Sequence, residues 1–413
     1  MRRALLAVAL IAACRGEQRA RQESGSAGSA SGPAAASGSV VPKLPYSDDG
    51  DAVMRGLDAE IELAAKPKQE GAGFTSAPGD TKLVALLLER ASIRGWLDDY
   101  QRALAIATTA VETRPTDPAA LAMLGRAQLA VHAFADARTT IAKLPLGSRD
   151  ELQASLDQAT GNLDAALAAR KARVDVFADA LSVTLYAAAL AEAGRAGEGI
   201  ALIPTAVAHL RSNTPQYLGW LLFQWGLLYE QTGATAASRE LYAEAHRRLP
   251  AHVEVIVHLA EALAATGDMK GARALVAVDA DRHPSLLALA ATMSSTEDRV
   301  TAATEAWERY LAVFPAAFAD HAARFYLGAG NNSKRALELA KLNLATRDTP
   351  AARGLVIDAA LAEGDKAGAC AAVGTLTTAG PRRERFLAWR ALAACGRAAE
   401  ADQVARELGI QPR

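Results

Sequence analysis

The sequence predicts an all-α superhelix of stacked helical hairpins, on the evidence of a recurring glycine and of the amino-acid composition. In six places a glycine stands five residues ahead of a small residue, as expected where a short turn joins two closely packed helices. These pairs are Gly161/Ala166, Gly194/Gly199, Gly233/Ser238, Gly267/Ala272, Gly364/Ala369 and Gly396/Ala401. Apolar residues make up 51% of the chain but aromatic residues only 5%, and alanine is abundant, which is typical of many helices in close contact.

Four further small residues continue the spacing and bring the number of units to about ten. They are Ala103, Ala137, Ala303 and Ala336. Several units follow one another at steps of 32 to 34 residues, while the step from Gly199 to Ser238 is stretched to 39. A period in this range indicates a solenoid whose repeats bury their apolar faces only by stacking on neighbours. We therefore expect one continuous body over residues 80–413 instead of several separate domains.

Residues 219–250 show the pattern of one unit most clearly. The first helix, helix A, carries an apolar stripe with a glycine that lets a second helix approach closely: Leu222, Trp225, Gly226 and Tyr229. Gly233 ends helix A. The second helix, helix B, presents Ser238, Tyr242 and Ala245 on one face and stops before Pro250.

This pattern resembles the tetratricopeptide repeat family, in which a large residue, a Leu-Gly pair and a Tyr on helix A precede an Ala, an aromatic residue, a second Ala and a Pro on helix B. The resemblance is good over residues 84–125 and 219–284. The first of these ranges carries Tyr100, Ala103, Ala110, Pro115 and the pair Leu124-Gly125. Units around 137–166 and 284–369 keep the spacing but lose most signature residues. A related helical-hairpin solenoid is the alternative interpretation.

Two further properties of the sequence limit the fold and the partner. Alternating β-branched runs are few and no convincing Asn-Gly hairpin occurs, which disfavours a sheet. The 45 basic and 46 acidic side chains nearly balance. A strongly positive surface is therefore not expected, and nucleic acid is not a predicted partner.

The N-terminus predicts export and lipid attachment. Arg2 and Arg3 precede an apolar run over residues 4–13, which is too short to span a bilayer and suits a signal-peptide core. The run ends in Ile11-Ala12-Ala13-Cys14, which resembles a bacterial lipobox. The resemblance implies a signal peptide over residues 1–13, a lipidated Cys14 and, because Arg15 is not aspartate, an outer-membrane lipoprotein. An ordinary signal peptide with an incidental cysteine is the alternative.

Two segments are expected between the anchor and the solenoid. Residues 14–46 are polar and then rich in Ser, Gly and Ala, so we predict a disordered tether with a mean reach of roughly 30 Å. Residues 47–79 predict a capping helix from about Asp51 to Ala65, followed by a loop. The acidic cluster at residues 48–51 lacks the downstream glutamate of a calcium loop, so we interpret it as a helix N-terminus.

The sequence offers no catalytic or metal-binding constellation, so we predict no cofactor, no metal and no enzymatic activity. The seven histidines are scattered, and the nearest approach to a cluster falls on a helix end, a turn and the next helix: His246, His252 and His258. No Gly-rich phosphate loop with Lys-Ser/Thr is present. The serines of the GSAGSASG run lie in the tether, where a nucleophile would not be held in place.

The resemblance places a concave groove on the face of helix A that is not used for stacking. In the unit at residue 219 this face carries Trp220, Phe223 and Leu227, so the helix is apolar on all sides. Such a helix is typical either of plain burial, for instance beneath the capping helix, or of a groove with aromatic anchors. Corresponding positions in later units give a mixed lining that suits a peptide better than a lipid: Glu254, Glu261, His321, Phe325, Arg383, Phe386 and Arg390.

The remaining two cysteines have two interpretations. Cys370 stands near the start of one helix B, and Cys395 ends the following helix A, so antiparallel packing would bring the thiols within disulfide reach. An exported location would permit the bond. Two buried small apolar side chains are the alternative.

Together these features predict a lipid-anchored scaffold of the bacterial envelope that binds a protein or peptide partner in its groove. The alternative from another class is a glycan or cell-wall binding module that assists an envelope enzyme. Exposed aromatic residues would then stack on sugar rings.

Overall fold

The computed structural model describes residues 39–66, 79–277, 283–294 and 296–410, and within these ranges the chain is helical without any strand. The predicted signal peptide and Cys14 lie outside the described residues, as does most of the predicted loop after the capping helix. No helix in the described ranges combines the length and the apolar character that crossing a bilayer requires.

One N-terminal helix precedes ten helical hairpins in the described part of the chain. Helix α1 spans Gly50–Ala65, where the capping helix is predicted, and Asp49 caps it through Oδ1, which accepts from the N–H of Asp51 at 2.8 Å. Hairpins one to five pair α2 Gly79–Arg94 with α3 Leu97–Thr113, α4 Pro118–Ala130 with α5 Phe134–Ala142, α6 Leu146–Thr160 with α7 Leu163–Val176, α8 Ala180–Glu192 with α9 Ala196–Ala201 and a short α10 Ile203–Ala208, and α11 Pro215–Gln231 with α12 Thr235–Arg248. Hairpins six to ten pair α13 Val253–Ala265 with α14 Met269–Ala277, α15 Pro284–Ser294 with α16 Glu297–Val313, α17 Pro315–Leu327 with α18 Ser333–Thr346, α19 Pro350–Glu363 with α20 Lys366–Ala371 and a 3₁₀ turn Gly374–Thr377, and α21 Arg382–Ala394 with α22 Ala398–Leu408.

The recurring glycines and small residues have the predicted roles. All six turn glycines adopt positive φ, and the small residue five positions later is buried in helix B each time. The units without a glycine pair bury their alanine in the same way: Ala103, Ala137, Ala303 and Ala336 are each 0% exposed. The prediction of an all-α superhelix of about ten hairpins is therefore confirmed.

Close packing explains the glycine inside helix A of the fifth hairpin. Gly226 in α11 faces the ring of Tyr242 in α12, and an added Cβ would lie 2.6 Å from Tyr242 Cδ1. On another side of α11, Trp225 donates from Nε1 to Thr184 Oγ1 of α8 at 3.1 Å. Helix α11 is thus held between its own helix B and the preceding helix A.

Hairpins six units apart also touch, so the superhelix coils back onto itself. In each of the first four hairpins, the turn between helix A and helix B lies against the residues that begin helix A six hairpins later. The contacting pairs are Gly95 with His283, His132 with Ala316, Gly161 with Asp348, and Gly194 with Gly380. Hairpins seven to ten therefore pack beneath hairpins one to four.

Four turn glycines in hairpins without a partner six units further on have open surroundings. Apart from the adjacent residues of the chain, no described atom lies within 4 Å of a Cβ placed on the turn glycines of the fifth, sixth, ninth and tenth hairpins, Gly233, Gly267, Gly364 and Gly396. Among the described glycines of positive φ that join helix A to helix B, close neighbours occur at Gly95, Gly161 and Gly194, which meet the second coil.

The end of the predicted tether is docked on the solenoid. Ser39 donates from Oγ to Glu240 of α12 at 2.8 Å, and Arg248 donates from Nη1 to the carbonyl oxygen of Pro45 at 3.0 Å. Val40, Val41 and Leu44 pack on the core around α11. The prediction of disorder up to residue 46 is therefore wrong for residues 39–46, because this short stretch carries enough apolar and hydrogen-bonding groups to bind the fifth hairpin.

Candidate functional site

The candidate site is the inner surface of the superhelix, and its predicted aromatic centre is buried. Trp220 and Phe223 are each 1% exposed and Leu227 is 7% exposed. The ring of Phe223 lies against Tyr242, His252 and His258 at centroid distances of 5.4 to 5.8 Å. These three predicted groove residues therefore belong to the core between α11, α12 and α13, and the burial interpretation applies.

A buried polar cluster adjoins this core. Glu230 accepts from Tyr242 Oη at 2.5 Å, and its carboxylate also lies 3.0 Å from Nδ1 of His258. Burial opposes a charge on His258, but the carboxylate of Glu230 outweighs it and raises the His258 pKa to about 9. Burial also raises the pKa of Glu261, a predicted groove residue, to about 7. The cluster couples a protonated imidazole to carboxylates inside the superhelix.

The predicted groove residues further along the chain include both a core residue and partly exposed residues. Phe325 is 5% exposed, and its ring packs 5.1 Å from that of Tyr326, so it is a core residue and not a groove residue. Its burial follows from the packing of α17 on α18 and α19. By contrast, Arg383, Phe386 and Arg390 on α21 are only partly buried. These last three are the predicted groove residues that keep an accessible surface together.

A cavity of about 100 Å³ lies between the two coils. Its wall is formed by residues of α2, α3 and α4 from the first coil, residues of α15 to α19 from the second coil, and residues of α13 from the sixth hairpin. Two predicted groove residues, Glu254 and His321, line it. The cavity exists because the second coil packs under the first, so residues about 200 positions apart in sequence share one wall.

The cavity wall carries several ionisable side chains among its apolar residues. Burial lowers the pKa of His132 and of His283 to about 4, so both imidazoles are neutral at pH 7. Burial opposes ionisation of Asp320, but the positive charges of His321 and Arg347 lower its pKa to about 2. An ionised carboxylate and a guanidinium therefore face the same small space.

Four residues that line the cavity each carry a buried polar atom without a hydrogen-bond partner among the described residues: Ser285 Oγ, Trp307 Nε1, Asn343 Oδ1 and Arg347 Nε. Sequence reasoning missed all four residues. Ser285 follows a helix-initiating proline, and the other three lie on or just after helix B, whereas the groove was expected on helix A alone. The available signal was polar residues among the apolar positions of helix B, as in Asn343.

No group of three or more potential metal ligands occurs among the described residues. The sulfur atoms of Cys370 and Cys395 are bonded in the structure, and their Cα atoms are 6.3 Å apart. This pair joins α20 to the end of α21 at the C-terminal end of the solenoid.

The chain is an all-α superhelix of helical hairpins with a partly polar cavity between its two coils. Residues 97–159, from the start of α3 into α6, match the family model of the tetratricopeptide repeat. The chain is similar to the Cut9-Hcn1 hetero-tetramer of APC/C, with 11% identity, 86% of this chain and 81% of that chain covered, and a TM-score of 0.43. It is also similar to the human IFIT1 dimer with PPP-AAAA, with 15% identity, 86% and 77% covered, and a TM-score of 0.39. No curated protein matches the sequence.

Proposed function

We propose that the protein is a non-catalytic scaffold, held in the bacterial envelope by a lipid on Cys14, which binds a protein or peptide partner on the inner face of α21. The lipobox-like sequence before Cys14 supports the anchor. A solenoid of helical hairpins supports partner binding because its stacked helices present an extended concave surface.

The observation that carries the binding surface is the partly buried stripe of Arg383, Phe386 and Arg390 on α21. The three side chains follow one another at helical spacing beside the buried stripe of this helix. The ring of Phe386 packs 5.2 Å from that of Trp389, which is also partly buried. Arginine and aromatic side chains are the types that most often anchor a partner. We call Arg383, Phe386, Trp389 and Arg390 the α21 patch.

The charge of α21 favours an acidic partner. The helix carries four arginines and one glutamate, and that glutamate, Glu384, is 1% exposed. Arg383 and Arg390 each lie 3.7 Å from a carboxylate oxygen, of Glu384 and Asp358 respectively. The pair of Arg390 with Asp358 is partly exposed on both sides, and such an ion pair contributes little to stability. A carboxylate of an acidic peptide would therefore compete for the guanidinium of Arg390.

Photocrosslinking in the intact envelope tests the proposal. A benzoylphenylalanine in place of Phe386 is expected to crosslink a protein with an acidic segment. Adding Arg383→Glu and Arg390→Glu should remove this crosslink by charge repulsion. Phe177 provides the matched control, because it is a 50% exposed aromatic residue beneath the guanidinium of Arg173, far along the chain from α21.

Equal crosslinking at both positions, or a crosslink that survives the charge reversal, would contradict the α21 patch. Binding of the purified protein to cell-wall polymer, lost in Phe386→Ala and without any protein crosslink, would favour the glycan-binding alternative instead.

A further inference from the structure

The cavity between the two coils has the features of a ligand site that is separate from the α21 patch. It is closed on one side by hairpins one and two and on the other by hairpins six to nine. We propose that this cavity binds a small carboxylate, with Arg347 as its main anchor. This inference goes beyond the scaffold function and does not depend on it.

The burial of Arg347 beside the cavity is the first observation that supports this ligand site. The residue is 7% exposed, it lines the cavity, and its Nε has no hydrogen-bond partner among the described residues. A buried guanidinium is costly unless its N–H groups are paired. Its planar donor fork matches the two oxygens of a carboxylate. A bound carboxylate would therefore supply the partner that the described residues do not.

Three other residues that line the cavity also carry unpartnered polar atoms. Trp307 Nε1 and Ser285 Oγ can both donate, and they belong to side chains that are 1% and 8% exposed. Asn343 Oδ1 can accept, and its side chain is 2% exposed. Buried polar groups in folded proteins are satisfied with few exceptions, so four unpartnered atoms around one cavity point to an occupant with both acceptor and donor atoms.

The charges around the cavity select the kind of anion. The wall carries two guanidinium groups, of Arg324 and Arg347, and two carboxylates, of Asp320 and Glu254, so its charges nearly balance. A ligand that carries one charge of each sign is therefore favoured over the dianion of phosphate. An α-amino acid satisfies the wall most fully, because its carboxylate would meet Arg347 while its ammonium group would meet Asn343 Oδ1 and Asp320.

The volume limits the size of the ligand. One water occupies roughly 10–15 Å³ of such space, so a cavity of about 100 Å³ holds several waters or a molecule of a few non-hydrogen atoms. Acetate, propionate, glycine and alanine are of this size. A peptide side chain with its backbone is not, which separates this site from partner binding.

Calorimetric titration of the purified full-length protein at constant ionic strength tests the proposal, with acetate, propionate, glycine, alanine, phosphate and chloride as probes. Saturable binding of the carboxylates is expected, strongest for glycine or alanine. Arg347→Met should weaken it at least about tenfold, because a charged hydrogen bond is lost. Ser285→Ala removes only a hydroxyl from the wall and should weaken binding severalfold.

Arg170→Met is the matched control. Arg170 is likewise buried, at 3% exposure, but its guanidinium bonds to Glu151 and Ser155 away from the cavity. This variant should bind the carboxylates as the parent does. Carboxylate binding no stronger than that of chloride, tighter binding of phosphate, or unchanged affinity in both Arg347→Met and Ser285→Ala would overturn the proposal.

Discussion

The contact between the two coils predicts that two similar turn glycines respond differently to the same substitution. Gly161 ends α6 with φ 91° and Gly233 follows α11 with φ 78°, so both have a conformation that an L-residue adopts only at a cost. Alanine at Gly233 meets open space, and the loss should be about 1–2 kcal/mol from the backbone alone.

Alanine at Gly161 has an additional effect because the second coil lies against this turn. Its Cβ would lie 2.7 Å from the carbonyl carbon of Asp348, whereas two carbon atoms pack at about 3.5–4.0 Å. The coils must move apart to accept it, and overpacking of this kind costs typically about 1–3 kcal/mol. We therefore expect Gly161→Ala to destabilise the protein by about 1–3 kcal/mol more than Gly233→Ala.

Thermal unfolding together with amide hydrogen exchange measures this difference. In Gly161→Ala the amides of Thr349 and Ala352, at the start of α19, should exchange about tenfold faster or more, since 1.4 kcal/mol corresponds to a factor of ten. Gly233→Ala should leave exchange at α19 unchanged. Equal losses of stability, with no change in exchange at α19, would refute the idea that the two coils stabilise each other at this turn.

Further measurements test the anchor, the core and the C-terminal pair. Cys14→Ser should release the protein from membranes into the soluble fraction if the lipid is the anchor, and unchanged membrane partition would remove that claim. Phe223→Ala should lower stability by about 3–5 kcal/mol, because the ring is 1% exposed, and a nearly unchanged melting curve would show that it is not a core residue. Burial lowers the pKa of His252 to about 4, from about 6.5 in the unfolded chain, so the native state binds fewer protons than the unfolded state between these pH values. The free energy of unfolding should therefore fall as the pH falls from about 6.5 to 4, and His252→Leu should make this decline shallower. An identical slope in the variant would contradict the shift. Thiol titration of the denatured, unreduced protein should find Cys370 and Cys395 unreactive, and reduction should cost roughly 3 kcal/mol for a loop of 25 residues; two free thiols would exclude the bond.

The site was only partly predictable from the sequence. Helical spacing predicts Arg383, Phe386 and Arg390 on one face of a helix, and all three are partly buried residues of α21, because such a placement depends on residues within two turns of one helix. The same reasoning placed Phe223 on a groove face or in the core and did not decide between them. Arg347 was missed, since its burial depends on a cavity whose other wall is formed by the first two hairpins.

The sequence by itself determined the hairpins. A glycine with positive φ and a small residue five positions later act between two adjacent helices, so both signals lie within about 35 residues and are readable as a period. Only the tertiary structure decided where the superhelix closes on itself. His132 meets Ala316 across 184 residues because small rotations between neighbouring hairpins accumulate over six units, and no single repeat encodes that sum. The closure buries Arg347 beside a cavity between the coils but leaves Arg383, Phe386 and Arg390 on α21 partly exposed, and this difference separates buried residues from the surface on which partner binding is proposed.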